Sequence, residues 1–259
     1  MLYFVGGLPG GTPPIFEILL SLNIKISDMT TEIQRIVFSE SMKLADLVDV
    51  NFKLLNVLSR LGISLGFGEN TIREVCQRQR INLESFLLIC NIYTYDDYVP
   101  SAELLSSADP LTIVDYLHSS HAFYLDKEFA SLEKNINAMV EPCDDMQKKI
   151  VSKFVADYKL QIEKHFAYEE MTVFPYVRAL KDGKVMEGYS IEQFEENHSN
   201  IDETLGDLKN IVMKYLPDTC DTVLRNEVLY RIYRLDEDLA KHTIIEDRVL
   251  IPIVNKMEV

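Results

Sequence analysis

The sequence predicts an all-α protein, an up-down-up-down four-helix bundle preceded by a small helical module. Three observations carry that expectation. Apolar residues recur at three- and four-residue steps, helix start and stop signals stand at the ends of those runs, and glycine and proline cluster between them. With 259 residues, 47% of them hydrophobic, the chain can bury a sizeable core as one large or two modest domains.

Residues 1–42 read as a poorly ordered or atypical extension. The Gly and Pro cluster from Gly6 to Pro14 blocks a continuous helix, and the first basic residue is Lys25, too late for a secretory signal. Met29 and Met42 stand just before well-patterned sequence, so a misplaced translation start is a second reading of this segment. Residues 43–92 read as the small helical module. Leu44, Leu47, Val48, Leu54, Leu55 and Leu58 form one apolar face, the glycines at 62, 66 and 68 break it, and Thr71 can cap the next helix. Residues 93–109 are polar and contain Pro100, which reads as a linker.

Residues 110–259 carry the bundle. Its first helix starts with Asp109 as N-cap and Pro110 in the first turn, and runs to about Val140. The second spans about Asp144 to Lys181 and ends at Gly183, the third runs from Ser190 to before Pro217, and the fourth from about Asp221 through Pro252.

Composition excludes several function classes. The chain has 26 basic against 41 acidic side chains, a net charge of −15, which repels a phosphate backbone and argues against nucleic-acid partners. No run approaches the roughly 20 apolar residues of a membrane span. Cys76, Cys90, Cys143 and Cys220 lie far apart in sequence without a C-x-x-C, so the expectation is free thiols in a reducing cytoplasm.

Histidine placement carries the chemistry. Two of five histidines begin the same motif, His165-Phe-Ala-Tyr-Glu169 and His242-Thr-Ile-Ile-Glu246, and each is followed by apolar residues ending in a proline, Pro175 or Pro252. Residues four apart share a helix face, so each pair can converge on one site. His121 precedes His165 by 44 residues, and His198 precedes His242 by 44, which is the mark of a two-fold internal repeat. All six positions fall on apolar stripes, whereas the neighbouring Glu170, Asp247, Glu195 and Glu196 point about 100° or more off the ligand face and read as solvated surface. A single histidine on such a stripe is usually a core residue, but two carboxylates buried without a partner would cost several kcal/mol each, and a metal removes that conflict. Four imidazoles and two carboxylates suit two first-row metal ions better than a closed tetrahedral zinc.

From about Pro110 to Pro252 the sequence resembles the hemerythrin-like di-iron proteins, on the stretch HFAYEEMTVFPYV and on HAFYL at His121. The module LADLVDVNFKLLNVLSRLGI with its Gly-rich turn resembles the amino-terminal module of the iron–sulfur cluster repair branch. The resemblance implies two iron ions in an oxo- and carboxylate-bridged centre, with nitrogens from His121, His165, His198 and His242 and bridging by Glu169 and Glu246. His118, one turn before His121, is the rival position, as ligand or as a donor behind the ligands. The branch carries adjacent cysteines after LGI-x-x, where this chain has Gly66 and Phe67.

Three functions follow from the resemblance. The first is iron–sulfur cluster repair or a nitrosative or oxidative stress response, with damaged iron–sulfur proteins as partners. The second is a sensor or carrier binding O2 or NO without repair, and the third a di-iron enzyme reducing O2, peroxide or NO. Whether the protein is an enzyme is left open, as is its oligomeric state, with a homodimer among the alternatives.

Overall fold

The computed structural model describes residues 37–184, 188–197 and 203–258. The extension expected over residues 1–42 therefore lies outside the described residues up to residue 36. Phe38, near its end, is buried, and its N–H donates to Asn91 Oδ1 at 3.1 Å.

The amino-terminal helices are short because their sequence interrupts them. Helix α1 (Leu44–Val50) stops at Asn51, whose side chain accepts from Lys53 N–H and donates to the Tyr93 carbonyl. An Asn that hydrogen-bonds a backbone group two residues on offers an alternative to helix continuation. Helix α2 (Leu54–Arg60) ends at Gly62, where φ is +73°, a conformation that glycine adopts without steric cost. Helix α3 (Ile72–Gln79) begins with a reciprocal capping box between Thr71 and Glu74. Helix α4 (Leu83–Thr94) is capped by Asn82, and a short α5 (Ala102–Ser107) lies within the stretch read as a linker.

Four bundle segments follow. Helix α6 covers residues 110–139, with Asp109 accepting from Thr112 N–H and Pro110 in the first turn. Helix α7 covers 145–181, capped by Asp144, and α10 covers 222–257, capped by Asp221. Between them stand α8 (Ile191–Asn197) and α9, residues 203–215. Helix α6 packs on α7, α7 on α9, α9 on α10, and α10 back on α6, which closes the bundle. Among the described residues only an isolated bridge between Lys43 and Thr71 has strand-like pairing. No described helix is long and apolar enough to cross a membrane.

Phe38–Val259 make one compact unit. Leu44, Leu58, Phe86 and Ile89 of the short helices share a core with Ile113, Leu117, Phe174, Ile245 and Val249 of the bundle. Each such buried side chain contributes about 2 kcal/mol, so peeling the short helices away would expose both partners. A second core, with Phe129, Tyr158, Ile162, Leu208 and Ile232, fills the rest of the bundle. Among the described residues, His121, His165, Glu169, His242 and Glu246 sit where the two cores meet.

Candidate metal centre

Both HxxxE motifs end in a widened helical turn. Phe174 N–H bonds to the Glu169 carbonyl and Ile251 N–H to the Glu246 carbonyl, each five residues back rather than four. Pro175 and Pro252 follow directly. A proline cannot donate and its ring crowds the carbonyl four residues earlier, which opens the preceding turn. The two motifs therefore share sequence spacing and backbone distortion, and both glutamates are fully buried.

The side chains meet around Glu169. Its Oε2 lies 2.9 Å from His121 Nε2 and 3.9 Å from His242 Nε2, while its Oε1 lies 2.6 Å from His165 Nε2. Glu246 Oε1 is 3.0 Å from His242 Nε2. Ligand atoms of His121, Glu169, His242 and Glu246 all fall within 4.8 Å of one another. Five of the six expected residues are thus brought together. The sixth, His198, lies outside the described residues.

The donor set fits a cation. Despite the close nitrogens, neither oxygen of buried Glu169 accepts a hydrogen bond, so ring nitrogens and carboxylate lone pairs face a common space. Without a metal those oxygens have only the imidazoles to offset their burial, and a bound cation would satisfy oxygens and nitrogens together. His121 Nε2 and His242 Nε2 stand 3.2 Å apart. Two nitrogens bound to one ion at about 2.1 Å, roughly at right angles, would have that spacing.

Glu170 requires a correction to the sequence reading. A helical step of about 100° places it off the ligand face, as a solvated surface residue. Instead its Oε1 contacts His121 Nδ1 at 2.7 Å and His118 Nδ1 at 2.9 Å. The widened turn starting at Glu169 changes the rotation per residue and brings both glutamates to the same imidazole. Glu170 holds His121 Nδ1, leaving Nε2 aimed at the site, the outer arrangement common behind metal-bound histidines. His118 is exposed and bonds only to Glu170 among the charged groups here, so it stands behind the site and not in it. Glu170→Ala is expected to weaken metal retention by about 10- to 100-fold, read as faster loss to a chelator.

Aromatic rings wall the centre. His121 is sandwiched between Phe166, 3.9 Å between ring centroids, and Phe174 at 5.5 Å. Tyr124 presents its edge to His242 at 5.8 Å. Farther out, Tyr168 meets Tyr189, and Tyr176 donates to Glu258.

Burial lowers the His242 pKa, but the Glu246 and Glu169 carboxylates outweigh it and hold it up at about 9. Burial raises that of Glu169, and the surrounding imidazoles reverse this, leaving it well below the ordinary carboxylate range. In the metal-free protein, the raised His242 pKa contributes stability that is complete below 6.5 and lost as pH rises to about 9. The Glu169 contribution is present above 4.5 and lost on acidification. Metal-stripped protein is therefore expected to be most stable between those limits. By pH 9 it should lose on the order of 3 kcal/mol, measured by urea denaturation across pH.

No curated protein sequence matches the chain. The sequence model of one family, the hemerythrin HHE cation binding domain, matches residues 112–254, more than half of the chain. That span contains every imidazole and carboxylate gathered around Glu169, and the all-helical bundle is the framework that holds them. The chain belongs to the hemerythrin HHE cation-binding family, as a helical protein with a buried His/Glu metal site.

Proposed function

We propose that the protein is a non-haem di-iron protein acting in iron–sulfur cluster repair or a nitrosative or oxidative stress response of the cytoplasm. The observation that carries the pair of metals is the placing of Glu169. One oxygen faces His121 and His242, the other faces His165, so a single carboxylate addresses two sets of nitrogens. Glu246 completes the first set, and the repeat spacing assigns His198 to the second. Soft thiolates are absent from the set, and imidazole with carboxylate suits iron.

His121, His165, Glu169, His242 and Glu246 would hold the iron, which when bound and reduced would supply electrons and an open coordination position for a small diatomic ligand such as O2 or NO. The chain's own groups do the rest. Glu170 fixes the His121 ring through Nδ1, Phe166 and Phe174 keep bulk water from it, and Tyr124 covers the edge of His242.

A second reading, an O2- or NO-binding sensor or carrier without repair, is favoured by the amino-terminal turn. Where the resembled branch has adjacent cysteines, this chain has Gly66, at φ +94°, and Phe67, which packs against the core. The nearest thiol in the sequence, Cys76, is buried, and burial pushes its pKa up to about 12, which leaves it unreactive.

Iron analysis and visible spectra of wild type and His242→Ala test the metal assignment, with two irons per chain expected in the wild type and loss in the variant. Restoration of a nitric-oxide-damaged iron–sulfur enzyme by the iron-loaded chain separates the readings. Recovery of its activity supports repair, and reversible ligand spectra without recovery support the sensor.

A further inference from the structure

Cys143 and Cys220 are 77 residues apart in sequence, yet their Sγ atoms are 3.1 Å apart, closer than non-bonded sulfurs ordinarily approach. Both are buried. The same separation relates His121 to His198, His165 to His242 and Glu169 to Glu246, so the two cysteines are equivalent positions of the internal repeat. Cys143 is midway between His121 and His165, and Cys220 midway between His198 and His242. Each sits in the connection of its helical hairpin, immediately before the aspartate, Asp144 or Asp221, that caps the returning helix. All four cysteines are free thiols, as the sequence leads one to expect, and the repeat brings two of them together.

We propose that Cys143 and Cys220 form a redox-modification site, oxidised by small-molecule disulfides of the glutathione type to an intramolecular bond that staples the two hairpin connections together. Cys143 is the more exposed of the two, at 6% against 3%. Deprotonated, its sulfur attacks the small disulfide, forming a mixed disulfide and expelling one thiolate. Cys220 Sγ then attacks Cys143 Sγ, forming the protein bond and expelling the second thiolate. The two cysteine protons end on the two departing thiols, so two protein thiols are oxidised and one small disulfide is reduced. Burial raises the Cys143 pKa to about 11, so the first attack is slow and needs a strongly oxidised thiol pool. Cys76 and Cys90 are also buried and free, but they are not equivalent positions of the repeat.

The bond would lie far from the metal centre. Some twenty helical residues at 1.5 Å each separate either cysteine from the nearest histidine of its hairpin, about 30 Å. Iron content should therefore not change on oxidation. Closing so long a loop constrains the unfolded chain, and the thermal midpoint should rise by about 5–10 °C.

The test treats the full chain, reduced and then desalted, with oxidised glutathione. The expected result is a fall from four titratable thiols to two, a peptide linking Cys143 to Cys220, the higher midpoint and unchanged iron. Reduction by dithiothreitol should reverse all of it. Cys220→Ala should keep its three thiols or trap glutathione on Cys143, with no rise in midpoint. Retention of four thiols, bridging through Cys76 or Cys90, or dimers linked between chains would each overturn the proposal.

Discussion

Glu169→Gln is expected to cost the protein most of its iron, while Glu170→Gln costs far less. The substitution preserves volume, so the buried position stays filled and the fold intact. An amide has no negative charge and cannot offer two anionic oxygens, one to the His121 and His242 side and one to the His165 side. In the proposed two-metal centre both ions would lose a ligand at once, so iron should fall well below half of the wild-type load, with the visible absorption of the pair. Stability supplies a second readout. A cation that binds only the folded chain stabilises it by about 4 kcal/mol at a thousandfold excess over its dissociation constant. Chelation should therefore lower the thermal midpoint of the wild type and leave that of Glu169→Gln almost unmoved. Full iron in Glu169→Gln would remove the basis for a shared carboxylate and leave at most separate ions.

The parts of this molecule that were legible in the sequence are those whose physics is local. Asp109, Asp144 and Asp221 cap the helices they precede because a side-chain oxygen reaches an N–H three residues on. The HxxxE pairs converge because residues four apart share a face, and their repeat put His121 in register with them. Glu170 was hidden because a uniform helical rotation does not hold through the widened turn. The signal was present in the prolines at 175 and 252, which distort the turn behind them. The Cys143–Cys220 contact was hidden in the same repeat, visible only once the cysteines are laid on the histidine spacing. Arg60 was not legible at all. Its partner is 178 residues away, and nothing near either residue in the sequence announces the pairing.

That pairing yields the largest expected loss of stability. The Arg60 guanidinium, reaching from α2, is buried against α10, where it pairs with both carboxylate oxygens of Asp238. It donates to Tyr93 Oη at 2.8 Å and Tyr116 Oη at 3.2 Å, and lies over the Phe123 and Tyr124 rings at 4.4 and 4.8 Å. Burial acts to lower its pKa, but the tyrosines and Asp238 more than offset this and hold it well above the ordinary value, so it stays charged. Asp238→Ala would leave that charge enclosed with only hydroxyl acceptors, and removing one partner of a buried pair costs about 3–5 kcal/mol. The thermal midpoint should fall by about 10 °C. Arg60→Met should cost less, because it leaves an aliphatic chain among rings and an aspartate with more solvent around it, 12% exposed against 2% for the arginine side chain. The double change Arg60→Met with Asp238→Leu should recover most of the loss, since apolar groups of similar size replace buried ion pairs well. Iron should persist in Asp238→Ala below its melting range. Tyr124, whose ring meets His242, donates its hydroxyl to the Asp238 backbone carbonyl, which the substitution leaves in place. Urea denaturation of the three variants decides the matter. A cost under about 1 kcal/mol for Asp238→Ala would mean that solvent reaches the guanidinium, and that the short helices are not pinned to the metal-bearing helix by this pair.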